Sequence, residues 1–298
     1  MAFGMSLHIG LNAVSKPKYD NWEGRLRACE NDALLMAEIA RSRGFESKTL
    51  ITAGATSDAI LNSIIDASQK LESGDTYLLS YSGHGGQIRD VNGDETQDGM
   101  DETWCAFDRM IIDDELYSLW YRFNPGVRIV VFSDSCHSGS VVRNMSGLGF
   151  DIIEESQRNY IININARPEI FRAAKEAEED APLPKFAPDD VSVATYGRAK
   201  EFYDSLQWHC DLPSKERSPS ASVLLISGCQ DNQLSLDGRI NGAFTAALKA
   251  AWSEGAFNGS YRDFWKKIQS FLPPTQSPNF YTVGAPNPQL ELSAPFSI

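Results

Sequence analysis

Short apolar segments alternate with helical patterns along the chain, and this alternation predicts the order of its elements. Strands are predicted at residues 6–14, 45–52, 76–81, 128–132 and 221–228. Helices are predicted at 31–43, 57–71, 114–123, 244–252 and 261–271, and further strands at 281–283 and 289–292. Strands that alternate with helices form parallel sheets covered on both sides. The pattern therefore predicts an α/β protein with a mostly parallel central β-sheet flanked by helices on both faces.

Residues 140–220 do not follow this rhythm. They contain an acidic, alanine-rich piece at 173–181 and show no clean periodicity. Four prolines interrupt them, namely Pro168, Pro182, Pro184 and Pro188. Such a stretch is typical either of a long functional insertion or of a poorly ordered linker. We expect a single domain over residues 1–298, made of a first part at 1–139, the insertion at 140–220 and a last part at 221–298.

The composition excludes several classes of protein. With 40 acidic against 27 basic residues, the 298-residue chain has a net charge of −13, which argues against a nucleic-acid partner. No apolar run approaches the roughly 20 residues that cross a membrane, and the first residues lack the features of a secretory signal. Five cysteines without paired spacing are then expected to be free thiols, and the protein to be cytoplasmic.

Two predicted strands end in residues of chemical interest, His84 and Cys136. If these strands are parallel neighbours, their following loops emerge at the same sheet edge, where α/β proteins bind ligands. A cysteine beside a histidine is the minimum for thiolate catalysis, because the imidazole holds the thiol proton. Taken singly, each residue also has an ordinary explanation: a cysteine can be a small buried apolar residue, and a histidine can bond locally.

Five motifs, in order along the chain, resemble those of the metacaspases, which are caspase-like cysteine peptidases. Two of them contain the dyad candidates: Tyr-Ser-Gly-His-Gly at 81–85 and Asp-Ser-Cys-His-Ser-Gly at 134–139. The others are Leu-Arg-Ala-Cys-Glu-Asn-Asp-Ala at 26–33, Asp-Gly-Met-Asp-Glu-Thr at 98–103, and Ile-Ser-Gly-Cys-Gln-Asp-Asn-Gln at 226–233 with Gly-Ala-Phe-Thr at 242–245. The resemblance implies a caspase-like fold and a Cys136/His84 dyad. It also implies an oxyanion hole made by the N–H groups of Gly85 and Cys136.

The same resemblance implies cleavage of proteins or peptides after Arg or Lys. Asp32, Ser82 and Asp134 are then expected to bind the basic side chain, since carboxylates are the natural partners of a guanidinium or ammonium. The alternatives are that Asp32 only caps a helix and that Asp134 only stabilises a turn. Metacaspases are usually monomeric, and we expect a monomer here.

Many metacaspases bind calcium, and the resemblance places Asp101, Asp113 and Asp114 among the ligands. Arg143 occupies a position where the family has a further aspartate, and a cation there weakens or abolishes a calcium site. We therefore expect no required cofactor and little or no calcium dependence. The alternative for these acids is a solvated acidic loop that ends at a helix N-terminus.

The insertion lies where caspase-like precursors are commonly cut, which predicts self-cleavage after one of its basic residues. Lys185, Arg198 and Lys200 are favoured because nearby proline and glycine argue against a helix, whereas Arg172 and Lys175 are less favoured. The insertion could instead fold over the site as a lid that is never cut. Two other functions stay open: an interaction module without activity, and a peptidase with a different preference before the scissile bond.

Overall fold

Apolar residues run almost unbroken through the predicted central strands, and these strands form the sheet on which the molecule is built. The structure is a computed structural model that describes residues 2–93, 99–136, 182–209, 218–229 and 235–298. The strands are β1 (Gly4–Gly10), β2 (Glu46–Ile51), β3 (Thr76–Ser82), β4 (Gly85–Arg89), β5 (Met100–Cys105), β6 (Met110–Ile112), β7 (Arg128–Asp134), β8 (Leu183–Pro184), β9 (Ser222–Ser227), β10 (Leu236–Asp237) and β11 (Asn279–Gly284).

The central sheet has the strand order β11-β9-β7-β3-β1-β2. All neighbours in it are parallel except β11, which pairs antiparallel to β9 at one edge. Strands β1, β3, β7 and β9 are buried along almost their whole length, as expected of parallel strands covered on both faces. The predicted fold class is confirmed, and the predicted neighbours β3 and β7 do pair.

Helices cover both faces of the sheet. They are α1 (Cys29–Ser42), α2 (Ser57–Lys70), α3 (Asp113–Trp120), α4 (Asp189–Arg198), α5 (Lys200–His209), α6 (Ala243–Trp252), α7 (Tyr261–Gln269) and α8 (Pro288–Leu292). One apolar layer packs α2 and α3 on the sheet and includes Ile64 and Trp120. The opposite layer packs α1, α6 and α7 and includes Met36, Phe244 and Phe264. No helix among the described residues is long and apolar enough to cross a membrane.

Helix α1 starts at Cys29, two residues before the predicted start. Its cap is distant in sequence: the Asp237 carboxylate accepts hydrogen bonds from the amides of Arg27 (2.7 Å) and Ala28 (3.2 Å). A carboxylate there satisfies free N–H groups and opposes the positive end of the helix dipole. Sequence patterns detect caps only among neighbouring residues, so this start was predicted too late.

One other predicted element was wrong, and one argument about the insertion fails. Residues 289–292 lie in helix α8, whose N-cap Asn287 accepts a hydrogen bond from the Leu290 amide (3.1 Å), and they do not form a strand. The end of the predicted insertion is folded, because residues 182–209 form β8, α4 and α5. Arg198 ends α4 and Lys200 begins α5, so the argument that these two residues avoid helices fails. Arg172 and Lys175 lie outside the described residues.

Candidate active site

The parallel pairing of β3 with β7 brings the two dyad candidates to one edge of the sheet. Tyr81 pairs with Ser133 and Ser82 with Asp134, so His84 and Cys136 each follow the same rung by two residues. Both residues are almost completely buried. The order of strands alone therefore places the imidazole and the thiol at the same carboxyl end, as predicted.

His84 is held in one tautomer. Its Nε2 lies 2.9 Å from the carbonyl oxygen of Gly24, which can only accept, so Nε2 carries the proton and Nδ1 has its lone pair available. Nδ1 makes no hydrogen bond of good geometry with the described residues, although the Phe186 backbone lies near the ring and, like the bond to Gly24, raises its pKa. Burial lowers the pKa of His84 to about 4, against the opposing effect of the bond to Gly24. The imidazole is therefore neutral at pH 7 and equipped to accept a proton.

Gly24 and Trp22 fix the position of this imidazole, and neither was predicted. The Trp22 ring lies against His84, with 4.6 Å between ring centroids. Gly24 has a φ of +52°, and a β-carbon there would lie 2.6 Å from the Trp22 ring. A residue with a side chain would be strained in this conformation and would collide with the indole. The signal in the sequence was a single glycine two residues after a tryptophan, which is too weak to interpret alone.

The Cys136 thiol lies against residue 235. The Ser235 amide donates a hydrogen bond to Cys136 Sγ (3.1 Å), and Sγ lies 3.6 Å from the Ser235 carbonyl oxygen. The sulfur thus accepts one hydrogen bond and donates another to the backbone of the same residue, which fixes its position. Ser235 comes from the last part of the chain and was not predicted.

The amides of Gly85 and Cys136 converge on one carbonyl oxygen. Both donate to the oxygen of Lys185, each at 3.1 Å. A β-carbon on Gly85 would overlap the Cys136 carbonyl, at 3.0 Å from its carbon, so only glycine permits this approach. The two N–H groups named from the sequence therefore form the arrangement of an oxyanion hole, with a peptide carbonyl of the same chain in it.

The Lys185 side chain lies among the three predicted pocket residues and is completely buried. Its Nζ donates to Asp32 Oδ2 (3.1 Å), Ser82 Oγ (2.8 Å) and Asp134 Oδ2 (2.8 Å), which satisfies all three ammonium protons. Burial alone would lower the pKa of Lys185, but Asp134 and Asp32 outweigh it and hold the pKa well above its usual value. The predicted specificity pocket, defined as Asp32, Ser82 and Asp134, contains a charged lysine.

Residues after position 234 complete this pocket. Asn241 Nδ2 and the Gly242 amide donate to Asp32 Oδ1 (2.9 and 3.1 Å), and Thr245 Oγ1 donates to Asp134 Oδ2 (3.0 Å). Asp32 lies inside α1 and not at its cap, and Asp134 bonds to side chains and not to a turn. The motif at 242–245 was noticed in the sequence, but its contacts could not be assigned.

Residues 183–187 extend across the site on both sides of the Lys185 carbonyl. Before it, β8 pairs antiparallel with β10, and the Lys185 amide donates to the Ser235 carbonyl (2.9 Å). After it, the Ala187 amide donates to the Gly85 carbonyl (2.8 Å). This is how an extended peptide adds a strand to a binding edge. The Lys185–Phe186 peptide bond thereby lies beside both candidates, with the Lys185 carbonyl at the Cys136 amide and the Phe186 backbone near His84.

The three predicted calcium ligands do not form a cation site with other described residues. Asp101, Asp113 and Asp114 are buried, and Asp114 Oδ2 accepts a hydrogen bond from Asn92 Nδ2 (3.0 Å). Within the described ranges, no group of three or more His, Cys, Asp or Glu side chains is arranged to hold a metal ion. Arg143 lies outside those ranges. Weak or absent calcium binding therefore stays a prediction, and no chemical step is derived through a metal ion.

Comparisons with known proteins identify the family of the chain. The caspase-domain model of peptidase family C14 matches residues 13–294. The chain is similar to metacaspase-1 of Schizosaccharomyces pombe, with 29% identity over 283 residues, covering 84% of this chain and 59% of the relative. It is similar to metacaspase-1 of Ajellomyces capsulatus, with 31% identity over 267 residues, covering 83% and 69%. The chain thus spans only about three-fifths of the length of the first of these relatives.

Solved structures share the fold of this chain. A protein of Geobacter sulfurreducens has a crystal structure that matches with a TM-score of 0.81 and 44% identity over 99% of both chains. Caspase-1 from Spodoptera frugiperda matches with a TM-score of 0.51 over 94% of this chain and 86% of its own, at 10% identity, and this likeness shows the fold alone. Because the family model matches nearly the whole chain, the protein belongs to the caspase-domain family of cysteine peptidases, with metacaspases among its relatives.

Proposed function

We propose that the protein is a cysteine endopeptidase that cleaves after Lys or Arg through a Cys136–His84 dyad. The observation that carries this proposal is the placement of Lys185, whose carbonyl oxygen meets two amides while its ammonium meets Asp32 and Asp134. A substrate needs both contacts at once. The chain supplies its own example of a bound peptide, and that peptide has a lysine before the central bond.

The reaction then proceeds through a thioester. His84 Nδ1 takes the thiol proton, and Cys136 Sγ attacks the carbonyl carbon, so a C–S bond forms while negative charge develops on oxygen. The Gly85 and Cys136 amides stabilise that charge, because they point at it before the reaction begins. His84 gives its proton to the leaving amine as the C–N bond breaks. Water, deprotonated by the same imidazole, releases the acyl group and regenerates the thiol.

We also propose that the first substrate is the chain itself, cut between Lys185 and Phe186. Lys185 directly follows β8, and its amide bonds to the Ser235 carbonyl beside β10. Arg198 and Lys200 lie in helices that would have to unwind before cleavage. The alternative that the segment acts as an uncut lid is supported by its burial, since Ala187 and Val191 pack with Ile88. The two alternatives differ in whether the Lys185–Phe186 bond survives incubation.

A panel of fluorogenic peptides tests the peptidase proposal. Peptides that end in Lys, Arg, Asp or Leu before the fluorophore are incubated with wild-type protein and with Cys136→Ala. We expect cleavage of the Lys and Arg peptides by the wild type alone. Cleavage of the Asp peptide without the basic ones would refute the pocket assignment. If no peptide and no bond of the chain is cut, the alternative of an interaction module is supported.

A further inference from the structure

Gly242 touches the specificity pocket, yet its backbone does not require glycine. It is the N-cap of α6, with φ −58° and ψ 155°, a conformation that most residues adopt. A cap position also tolerates, and often prefers, residues with side chains. The reason for a glycine here must therefore lie in the space around it.

That space is already taken by the charges of the pocket. A β-carbon built on Gly242 would lie 2.5 Å from Asp134 Oδ2, 3.1 Å from Asp32 Oδ2, and closer still to Lys185 Nζ. Neither carboxylate is free to retreat. Asp32 is held by Asn241 Nδ2 and by the Gly242 amide itself, and Asp134 is held by Thr245 Oγ1 and Ser235 Oγ. The ammonium ends the longest and most flexible of the three side chains, so it is the group that yields first.

We propose that Gly242 is a specificity-determining residue, because the volume where its side chain would be is the volume that the substrate's cationic group occupies. This inference rests on the proposed function and adds to it a limit on how far a basic side chain can extend into the pocket. The pocket admits long, unbranched, basic side chains only while position 242 has no β-carbon. With alanine there, the end of a lysine or arginine side chain meets a methyl group before it reaches the two carboxylates. A shorter amine, such as that of ornithine, would stop before the methyl group.

The test compares Gly242→Ala with Gly54→Ala. Gly54 is the matched control, since it is exposed, has no positive φ, and a β-carbon there meets nothing within 4 Å. Both substitutions are made in the otherwise unchanged chain, because residues 183–187 lie across the site until the Lys185–Phe186 bond is cut. Both variants are incubated until intact mass spectrometry shows that cut. The measurements are kcat/KM for peptides with Lys, Arg or ornithine before the fluorophore, and the rate of Cys136 alkylation by iodoacetamide.

We expect Gly242→Ala to lower kcat/KM for the Lys and Arg peptides by at least about 50-fold, the loss expected when charge-assisted hydrogen bonds are broken. The ornithine peptide should lose less than about fivefold, and alkylation should stay within about twofold of the control, which shows an intact fold and thiol. Retention of Lys cleavage would overturn the proposal. So would an equal loss for all three peptides, or slowed alkylation, because either would mean that Gly242 supports the fold or the dyad and does not set the pocket depth. If the control variant cuts no basic peptide, the proposed function itself fails, which is a different result.

Discussion

Replacement of Lys185 by methionine should destabilise the uncut protein, because it removes the cation that two buried carboxylates share. The methionine side chain is apolar and nearly as long as the lysine side chain, so the substitution mainly removes the charge. Lys185 Nζ makes ion pairs with Asp32 (3.1 Å) and Asp134 (2.8 Å), and all three side chains are at least 97% buried. Removing one partner of such a buried cluster costs about 3–5 kcal/mol. Water can reach the two carboxylates when residues 183–187 loosen, so we expect a destabilisation at the lower end of this range, about 3 kcal/mol.

The expected change in melting temperature follows from the size of the chain. Unfolding entropy near 60 °C is about 2.1 cal/mol/K per residue, so a loss of 3 kcal/mol lowers Tm by about 5 °C in a chain of this length. The experiment uses scanning calorimetry in a Cys136→Ala background, which prevents cleavage. Lys200→Met is the control, since Lys200 pairs with Asp204 at the surface and should leave Tm unchanged.

The pH dependence of this difference has a definite sign. The pKa of Lys185 is raised in the folded protein, so its contribution to stability is fully present below the unfolded value of 10.5 and is lost only above it. The 5 °C difference should therefore be the same at pH 7 and pH 9. A difference below about 1 °C at both values would show that the ammonium is not bound between the carboxylates, and it would refute this reasoning.

Three further predictions concern stability, assembly and metal. Burial lowers the pKa of His8 to about 3 and of His84 to about 4. Below pH 6.5, each histidine should therefore reduce the unfolding free energy by about 1.4 kcal/mol per pH unit, down to its folded pKa. The variant His8→Asn should halve this slope between pH 6 and 4.5, and an unchanged slope in denaturant titrations would contradict the prediction. After a cut at Lys185, the two fragments should elute together from a sizing column and separate only in denaturant, because β9 pairs with β7 along six residues. Separation of the fragments in native buffer would contradict the sheet order. Peptidase activity in EDTA should lie within about twofold of that in millimolar Ca²⁺, because Arg143 stands where the family has an aspartate ligand. A large gain in activity with calcium would mean that other acids, such as Asp94 or Asp98, complete a calcium site.

The sequence was informative wherever the chemistry depends on strand order. Apolar runs at β3 and β7 predicted two parallel neighbours, and this pairing alone brings His84 and Cys136 to one edge. The pocket acids could also be named, because their motifs match a family with basic substrates. These features are local patterns, or follow from a general rule of sheet topology.

What the sequence did not reveal depends on contacts between distant segments. Asp237 caps a helix that begins 208 residues earlier, and Ser235 meets the Cys136 thiol 99 residues away. Residues 182–209 showed no periodic pattern in the sequence, because prolines interrupt them and their buried positions do not follow a regular spacing. The role of Lys185 depends on where that segment lies on the molecule, which no periodicity encodes. Long-range placement of this kind is decided by packing and by buried charge, and not by local propensity.

The most direct test of the account is the mass of the fragments that the protein makes from itself. Purified wild-type, Cys136→Ala, Lys185→Met and Lys200→Met chains are incubated side by side and analysed by intact mass spectrometry. We predict that wild type and Lys200→Met yield one new pair of fragments, residues 1–185 and 186–298. Cys136→Ala and Lys185→Met should stay whole at that bond. A wild-type chain that remains a single 33.0 kDa species, or that is cut elsewhere with the Lys185–Phe186 bond intact, would contradict the account.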